Sequence, residues 1–437
     1  MTPIQLDSPT VEGSKVSIEL DVPYQLRSYF RNTRFQVAYD RPVEDVPDGI
    51  LSIPAIMTTA PVAWAAGRSV FTPVIGNTFR RELEAVQAGY ADLYPDVFDA
   101  DIPAVRADNI VEHELPETSQ SGLLFSGGVD SIAAYLRHHD RPLAAITIRG
   151  SDVESEVSWN NVRSQTKTFT SAHEIAHRTI HSNFRSVLDY RLLNVQFRNE
   201  LGRDWWGAVH YGTGLPALCA PLAYREGLVY LYQGSGYTSD PSYPTAQPVY
   251  VNKLQWAGTE SQLVDVDVTR QEKLRRIASA IENGLLDPHA TTVRSCYESS
   301  SGENCSTCSK CRRTILGLLV EGADPNQLGF EVDNSTLLSI RSDIESGRTQ
   351  LDGLSIEFWE QIQQRADAGE CYPYDDGFFN WFSTVDLRSN TTGTTNDGLL
   401  ATLESASDVI IRHSPYPMDI AIERTRHSTA ARLGFET

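Results

Sequence analysis

Two short stretches of this chain combine residue types and spacings that can do chemistry. The first is an apolar run that leads into two adjacent glycines, Leu123-Leu124-Phe125-Ser126-Gly127-Gly128-Val129-Asp130-Ser131. The second, further along the chain, is a C-x8-C-x2-C-x2-C group formed by Cys296, Cys305, Cys308 and Cys311. The first pattern is suited to holding phosphate groups, and the second to holding a metal ion.

The glycine stretch predicts a strand, a tight turn and the start of a helix. Two glycines let the backbone bend sharply and approach a ligand closely. The free N–H groups and the dipole of a helix N-terminus favour a negatively charged ligand at that point. Ser126 and Ser131 can donate hydrogen bonds to phosphate oxygens, and Asp130 can cap the helix or help to hold Mg2+. A strand–helix turn without a nucleotide is the alternative interpretation.

The four clustered cysteines predict a tetrahedral Zn2+ site, in which thiolates bind the ion at about 2.3 Å. Because four of the 6 cysteines lie in one short segment, a metal is favoured over disulfides. Four protein ligands leave no open coordination position, so the predicted role of the ion is structural. An iron–sulfur cluster could use the same ligands.

From residue 123 onward, strand-like and helix-like segments alternate, which predicts an α/β fold with a doubly wound parallel sheet. Arg149 and Gly234 end two of the predicted strands, near the edge where such sheets bind nucleotides. A surface ion pair for Arg149 and an ordinary turn at Gly234 are the alternatives. Strands are predicted at 123–125, 143–149, 192–197 and 228–233, and helices at 131–138, 169–181, 205–225, 270–283 and 312–321.

A length of 437 residues predicts two or three domains, because single cores rarely grow past about 250 residues. The first region, 1–118, is expected to be α+β, and a polar linker at 114–122 separates it from a central domain, 119–329. The last region, 330–437, is expected to be mostly helical. Within the first region the patterns predict strands at 15–20 and 34–39 and a helix at 79–94.

The composition limits the partners that the chain can have. A net charge of -20, with only five lysines among 37 basic residues, disfavours general nucleic-acid binding. The acidic surface favours solubility or adaptation to high salt. The sequence contains no apolar run of about 18 residues, so no membrane span is predicted. The N-terminus lacks the basic start and apolar core of a signal peptide. A cytoplasmic location is therefore expected, and a homodimer is left open.

A second metal pattern competes with the cysteine cluster. His173-Glu174-Ile175-Ala176-His177 matches the H-E-x-x-H pattern of zinc metalloproteases, in which one helix face presents both histidines. The segment falls where an α/β fold needs a crossover helix, and no Gly-x-x-His continuation follows it. A half-exposed helix that carries histidines is the preferred interpretation.

The segment 126–131, Ser-Gly-Gly-x-Asp-Ser, resembles the PP-loop of the N-type ATP pyrophosphatases. This resemblance implies a doubly wound sheet with ATP and Mg2+ at its carboxyl edge, and pyrophosphate release with formation of an adenylated intermediate. It implies that all six residues bind ATP: Ser126, Gly127, Gly128, Val129, Asp130 and Ser131. Asp130 and Ser131 are the candidate catalytic residues. The G-x4-G-K-[ST] form is absent, so transfer of the terminal phosphoryl group is not implied.

The residues around the cysteines extend this resemblance. Ser-Cys-Tyr at 295–297 and Cys-x2-Cys-x2-Cys with following arginines at 305–313 are similar to the zinc motif of the 7-cyano-7-deazaguanine synthases (the QueC family). The stretch 240–248 resembles a substrate-binding segment of that family, which implies substrate contacts from Asp240, Tyr243 and Gln247. The resemblance covers about residues 122–325. Gln247 stands where the family has arginine, so the chain is expected to be a divergent member.

The resemblance implies an ATP-dependent ligase. A carboxylate, most simply 7-carboxy-7-deazaguanine, would attack the α-phosphorus of ATP, and an amine would then displace AMP. Ammonia as the amine would give an amide and then a nitrile. The amine of a partner protein would instead make this a conjugating enzyme, as in QueC-like proteins of antiviral defence. A PP-loop tRNA-modifying enzyme and a non-catalytic nucleotide-binding scaffold are the remaining alternatives.

Overall fold

The computed structural model describes residues 1–116, 120–153, 155–236, 246–296, 298–349, 351, 353–366, 374 and 377–388. The strands of the described chain are β1 (Ile4–Leu6), β2 (Thr10–Glu12), β3 (Lys15–Asp21), β4 (Arg34–Tyr39), β5 (Val70–Gly76), β6 (Val105–Val111), β7 (Ser121–Leu124), β8 (Leu143–Arg149), β9 (Ala176–Ser182), β10 (Tyr230–Gly234), β11 (Gln255–Trp256) and β12 (Thr259–Val264).

The helices lie between and after these strands. The α-helices are α1 (Asp48–Leu51), α2 (Ile53–Ala65), α3 (Asn77–Leu93), α4 (Val129–His138), α5 (Glu156–Ala172), α6 (Phe184–Val187), α7 (Tyr190–Leu201), α8 (Tyr211–Leu218), α9 (Ala220–Glu226), α10 (Pro248–Val251), α11 (Arg270–Glu282), α12 (Ser309–Leu319), α13 (Asn334–Glu345), α14 (Gly353–Arg365) and α15 (Phe378–Phe382). Short 3-10 turns occupy Tyr24–Tyr29 and Pro325–Leu328, and a π-helical turn occupies Trp206–His210.

In the part of the chain that the structure describes, twelve strands form one sheet in the order β11-β12-β10-β7-β8-β9-β4-β3-β1-β5-β6, with β2 beside β3. Strands β12, β10, β7, β8 and β9 are parallel. The order reverses at β7, because β8 and β9 extend the sheet on one side and β10 and β12 on the other. This reversal is the pattern of a doubly wound α/β sheet, and the α/β prediction is confirmed.

Neighbouring residues on one strand belong to different hydrophobic cores. Leu231 and Leu263 pack into a core with α2 and α7–α9, whereas Tyr232 and Val264 pack into a second core with α4 and α11–α15. Successive side chains of a strand point to opposite faces. Helices therefore cover both faces of the parallel strands, which leaves the carboxyl ends of these strands as the edge at which a ligand can approach.

The first region continues the same sheet. Strand β4 pairs antiparallel with β9 at Val37–Ser182, Ala38–His181 and Tyr39–Ile180. The predicted strands at 15–20 and 34–39 and the helix at 79–94 correspond to β3, β4 and α3. Hydrogen bonds thus run without a break from the first region into the central one.

Two of the predicted elements are wrong. The segment 169–181, predicted as a helix, contains the end of α5, a turn with Glu174 at φ 54, and strand β9. Strand β9 is hydrogen-bonded on both sides, to β8 and β4, and this pairing overrides its weak strand pattern. The segment 192–197, predicted as a strand, lies inside α7, whose first turn is capped by Asp189.

The predicted helix 205–225 is divided into three segments. The π-helical turn, α8 and α9 follow one another, with Pro216 inside α8 and Pro221 in the first turn of α9. Proline lacks the N–H that a continuous helix needs, so it interrupts the hydrogen-bond ladder. The described part of 330–437 is helical, as predicted, in α13, α14 and α15. None of the described helices combines the length and hydropathy that crossing a bilayer requires.

Candidate functional site

The glycine turn joins β7 to α4 at the strand where the sheet order reverses. Gly127 has a φ of +73, a conformation that L side chains rarely adopt. Gly128 is the N-cap residue of α4, and no side chain caps the helix there in the described structure. The Ser131 hydroxyl donates to the Gly128 carbonyl at 2.9 Å. Among the described residues, the first N–H groups of α4 therefore have no side-chain cap, which is compatible with the predicted anion site.

The end of β10 lies against the first turn of α4. A Cβ built on Gly234 would lie 2.7 Å from the carbonyl carbon of Asp130 and would overlap its oxygen. Only glycine permits this approach without a backbone shift. Gly234 therefore lets two neighbouring parallel strands, β7 and β10, close around one cleft. This cleft is bounded by the 126–131 turn, the ends of β8 and β10, and the segment before the cysteines.

Cationic side chains converge on Asp130 inside the cleft. The Lys273 ammonium, which is 1% exposed, donates to Asp130 Oδ1 at 3.0 Å and also to the Ser235 carbonyl oxygen. Arg270 places a guanidinium nitrogen 3.6 Å from Asp130 Oδ2, and its own Nε is buried without a partner. Lys310 and Arg294 line the same cleft. A strongly acidic chain thus carries a local excess of positive charge at this point.

The pKa values of the cluster express the same imbalance. Burial raises the pKa of Asp130, but Lys273 and then Arg270 outweigh burial and hold the pKa below its ordinary value. Burial, followed by repulsion from Arg270, lowers the pKa of the Lys310 ammonium well below its ordinary value. Asp130 and Asp152, both of which line the cleft, oppose this effect on Lys310 but do not cancel it. A bound anion would relieve the repulsion between Arg270 and Lys310.

Apolar side chains also line the cleft. Leu215, Tyr211 and Ile146 line it together with Gln233, which is 2% exposed. The Gln233 amide nitrogen donates to the Tyr211 carbonyl oxygen at 3.2 Å, and its Oε1 is buried without a hydrogen-bond partner. A carbonyl oxygen can only accept, so this contact fixes the orientation of the amide. The cleft therefore presents a hydrogen-bond acceptor beside an apolar wall.

Some predicted site residues lie outside the cleft. Arg149 ends β8, but its guanidinium contacts Glu156 Oε2 at 3.1 Å and it lines a separate groove beside β3 and β4. Gln247 is buried at the N-cap of α10, and the cleft, as far as the described residues define it, does not include it. Asp240 and Tyr243 fall outside the described residues. The predicted group comes together at 126–131 and Gly234.

The four cysteines come together as the spacing predicts. Their Sγ atoms all lie within 4.8 Å of one another, with Cys296 and Cys308 at 3.9 Å and Cys305 and Cys311 at 3.9 Å. Four sulfurs that bind one ion at about 2.3 Å lie about 3.8 Å apart in a tetrahedron. The geometry fits a single ion at the centre, and the cysteines form a possible metal-binding site compatible with Zn2+.

Backbone N–H groups support the sulfurs. Ser299, Cys308 and Cys311 donate their N–H groups to the Sγ atoms of Cys296, Cys305 and Cys308 at 3.2, 3.3 and 3.4 Å. A hydrogen bond from the Cys311 thiol, the largest contribution, lowers the pKa of Cys308 to about 5. Hydrogen bonds to a thiolate favour its charged, metal-binding form.

The H-E-x-x-H segment does not form a helix that presents two histidines. His173 ends α5, and His177 lies on β9, where its Nε2 contacts the hydroxyls of Thr147 and Thr166 at 3.0 and 3.2 Å. The metalloprotease pattern needs both rings on one helix face. That interpretation is wrong because the chain turns between the two residues.

The sequence analysis missed the cations of the cleft. Arg270 and Lys273 were assigned only to a helix start, and Lys310 only to the spacing between cysteines. A signal was present: two of the five lysines of the chain, Lys273 and Lys310, lie in the predicted helix 270–283 and between the clustered cysteines. Because the other basic residues of the chain are nearly all arginine, lysines at these two positions indicate a specific role.

Comparisons of this chain with protein-family models, with curated proteins and with solved structures gave no match. The geometry of the site therefore carries the functional argument.

Proposed function

We propose that this protein is an ATP-dependent ligase of the N-type ATP pyrophosphatase kind, which adenylates a carboxylate and then transfers it to an amine. The observation that carries the proposal is the convergence of Arg270, Lys273 and Lys310 on one carboxylate at the uncapped start of α4. An excess of buried positive charge is costly unless an anion compensates for it. A polyphosphate supplies several negative charges at the required place.

The position of the cluster supports ATP over a single phosphate. The cleft is lined both by the 126–131 turn and by apolar side chains beside Gln233. The phosphates of a nucleotide would lie against the cationic residues, and a planar base against the apolar ones. The unpartnered Oε1 of Gln233 would accept a hydrogen bond from an N–H group of that base or of the second substrate.

The chemistry proposed needs charge neutralisation and orientation more than proton transfer. A substrate carboxylate oxygen attacks the α-phosphorus, the bond from that phosphorus to the bridging oxygen breaks, and pyrophosphate leaves. An amine then attacks the acyl carbon of the acyl-adenylate and AMP leaves. The N–H groups of α4 and the cations would stabilise the departing pyrophosphate.

Asp130 has a different role here from the one its motif suggests. Its carboxylate is bonded to Lys273 and lies beside Arg270, so few lone pairs are left for Mg2+. We assign Asp130 to holding the cations in place. Mg2+ would enter bound to the phosphates of ATP, whose oxygens are the ligands that this ion prefers.

The proposed carboxylate is 7-carboxy-7-deazaguanine, on the resemblance of the glycine and cysteine segments to the QueC family. The amine is either ammonia or an amine of a partner protein. The metal proposed for the four cysteines is Zn2+, in a structural role, because four thiolates leave no position for a substrate.

One incubation tests the proposal. The full chain is mixed with ATP, Mg2+ and 7-carboxy-7-deazaguanine, with and without ammonium, and the products are identified by mass. With ammonium we expect AMP and pyrophosphate in equal amounts together with an amide or nitrile, and without an amine we expect pyrophosphate and the acyl-adenylate. A partner-protein acceptor would instead give AMP that depends on added protein.

Variants separate this ligase from its alternatives. Asp130→Ala should abolish AMP formation, whereas Lys253→Met, a change at an exposed lysine, should leave it unchanged. Gln233→Leu should weaken binding of ATP or of the second substrate roughly tenfold, because it removes the unpartnered Oε1 acceptor. Binding of ATP without pyrophosphate release would favour a scaffold, and ADP with phosphate would overturn the proposed bond cleavage.

A further inference from the structure

The metal centre and the glycine turn are joined by the main chain. Arg294 lies two residues before Cys296, and its N–H donates to the Gly127 carbonyl at 2.8 Å. Gly128 and Arg294 also form an isolated parallel bridge. The segment that supplies the first sulfur therefore hydrogen-bonds to the turn that begins α4.

A second connection passes through a side chain. Lys310 lies between Cys308 and Cys311, so a metal bound to both cysteines would fix its backbone on each side. Its side chain lines the cleft together with Asp130 and Arg270. Helix α12, which begins at Ser309, packs on α11, the helix that carries Arg270 and Lys273.

Once a metal joins the four sulfurs, hydrogen bonds around the cysteines restrict the motion of the nearby residues that line the cleft. Ser295 contacts Thr314 on α12 through their hydroxyls at 2.7 Å, and its N–H donates to Asn304 Oδ1 at 2.8 Å. The Asn304 amide also donates to the Val293 carbonyl at 2.9 Å. Loss of the ion would release the loop between Cys296 and Cys308, and with it the residues that face the cleft.

We propose that the four-cysteine metal centre and the phosphate-binding end of the cleft are thermodynamically coupled, with Lys310 as the side chain that joins them. This inference rests on the proposed function, since it takes the phosphates of ATP as the ligand. A bound metal orders Lys310 and Arg294 before ATP arrives, which removes part of the entropic cost of binding. Coupling between two binding sites is reciprocal, so ATP must also strengthen metal binding.

The test measures metal release from the full-length zinc-loaded protein. Zinc transfer to a colorimetric chelator is followed without nucleotide, with ATP and Mg2+, with pyrophosphate and Mg2+, and with AMP. We expect ATP and pyrophosphate to raise the equilibrium affinity for zinc at least about fivefold, the lower end of typical coupling, and to slow zinc release to the chelator. AMP, which lacks the pyrophosphate group, should have a much smaller effect.

Lys310→Met keeps the length of the side chain and removes its charge. We expect this variant to retain one zinc per chain and an unchanged rate of zinc release without nucleotide. The slowing by ATP should be reduced or lost. Lys253→Met provides the matched control, because Lys253 is an exposed lysine away from the cleft, and it should behave as the wild type.

The outcomes separate this inference from the proposed function. If calorimetry finds no ATP binding to the wild type, the proposed function itself fails. If ATP binds and yet zinc release is the same with and without it, only the coupling is overturned. Full protection by ATP in Lys310→Met would remove Lys310 from the connection. Loss of zinc from that variant would mean that Lys310 acts on the metal site itself, and would also overturn the assignment.

Discussion

The sheet contains two strand–glycine–helix turns that differ in what faces them. In the central region, β7 leads through Gly127 and Gly128 into α4, and in the first region β5 ends at Gly76 and leads directly into α3. Both helices begin at a glycine without a side-chain cap in the described structure. Only the turn before α4 faces a cleft lined with cations.

A histidine fills the space at the other turn. A Cβ on Gly76 would lie 3.1 Å from His113 Cδ2, and one on Gly49 would lie 2.7 Å from His113 Nε2. Burial lowers the pKa of His113, which favours the neutral ring. The space beside Gly76 is thus occupied by a side chain of the protein itself.

Under the proposed function, the comparison indicates which features a glycine turn needs in order to bind a polyanion. Glycine and an uncapped helix supply a close approach and free N–H groups, and both turns have these. Open space and compensating cations are the additional requirements, and they come from α11 and from the cysteine segment. Residues distant in sequence therefore distinguish the turn that forms the candidate site from the turn that does not.

The largest effect is expected when one methyl group is added at Gly234, beside the first turn of α4. Gly234→Ala places a Cβ against the main chain of Asp130, which cannot move without displacing α4. We expect a loss of about 1–3 kcal/mol in the free energy of unfolding, and ATP binding weakened at least about tenfold. Urea unfolding and calorimetry measure the two quantities.

Gly76→Ala is the matched control, because its new Cβ meets a side chain that can turn aside. Its free energy of unfolding should change by less than about 1 kcal/mol, and ATP binding should not change. Equal effects of the two substitutions on ATP affinity would refute the distinction between an open and a closed turn.

A loss of stability of similar size, but one that depends on pH, is expected from Asp130→Asn. The change leaves the buried Lys273 ammonium without its carboxylate, at a cost of roughly 1–3 kcal/mol after allowance for the partial exposure of Asp130. The pKa of Asp130 is depressed from its value of 3.8 in the unfolded chain. The wild-type pair therefore contributes its full stability above that value, and loses it as the pH falls through the lower folded pKa.

Urea midpoints of the wild type and of Asp130→Asn, measured from about pH 6 down to pH 2, test this linkage. The difference between the two proteins should shrink toward the acid end. A difference that stays constant over the whole range would show that the ion pair does not supply the lost stability.

The smallest expected effect concerns His113, which lies beside Gly76 at the turn before α3. The pKa of His113 is lowered from 6.5, so the unfolded chain binds a proton more readily than the folded one. The contribution of His113 to stability is therefore present above its unfolded pKa, and falls as the pH drops through the lowered folded value. His113→Gln should flatten the wild-type loss of stability between about pH 7 and pH 5 by a small amount. Identical slopes would contradict a buried neutral ring.

Local sequence patterns predict the parts of the site that are contiguous in the chain. The 126–131 turn and the four cysteines each lie within one short segment, so residue type and spacing are sufficient. The group of Arg270, Lys273 and Lys310 depends on α11 and α12 packing beside α4. That packing is a property of the tertiary fold, and no single window of the sequence contains it.

The errors in secondary structure have the same origin. Strand β9 has one fully buried apolar residue, Ile180, so its pattern is weak, and pairing with β4 and β8 determines its conformation. Helix α7 has the residue types that mark helix ends, an N-cap at Asp189 and a left-handed Gly202 after its last turn. The hydrophobic pattern alone predicts a strand there, because apolar and polar residues alternate within the segment Leu192 to Phe197.

The antiparallel pairing of β4 with β9 also bears on how this chain can be divided. A fragment that begins at residue 119 would lack β4 and would leave the outer N–H and C=O groups of β9 open to other chains. Unprotected strand edges of this kind promote aggregation. The first region thus covers the edge of β9 in the central region, and a cut between the two regions would favour self-association of the separated pieces.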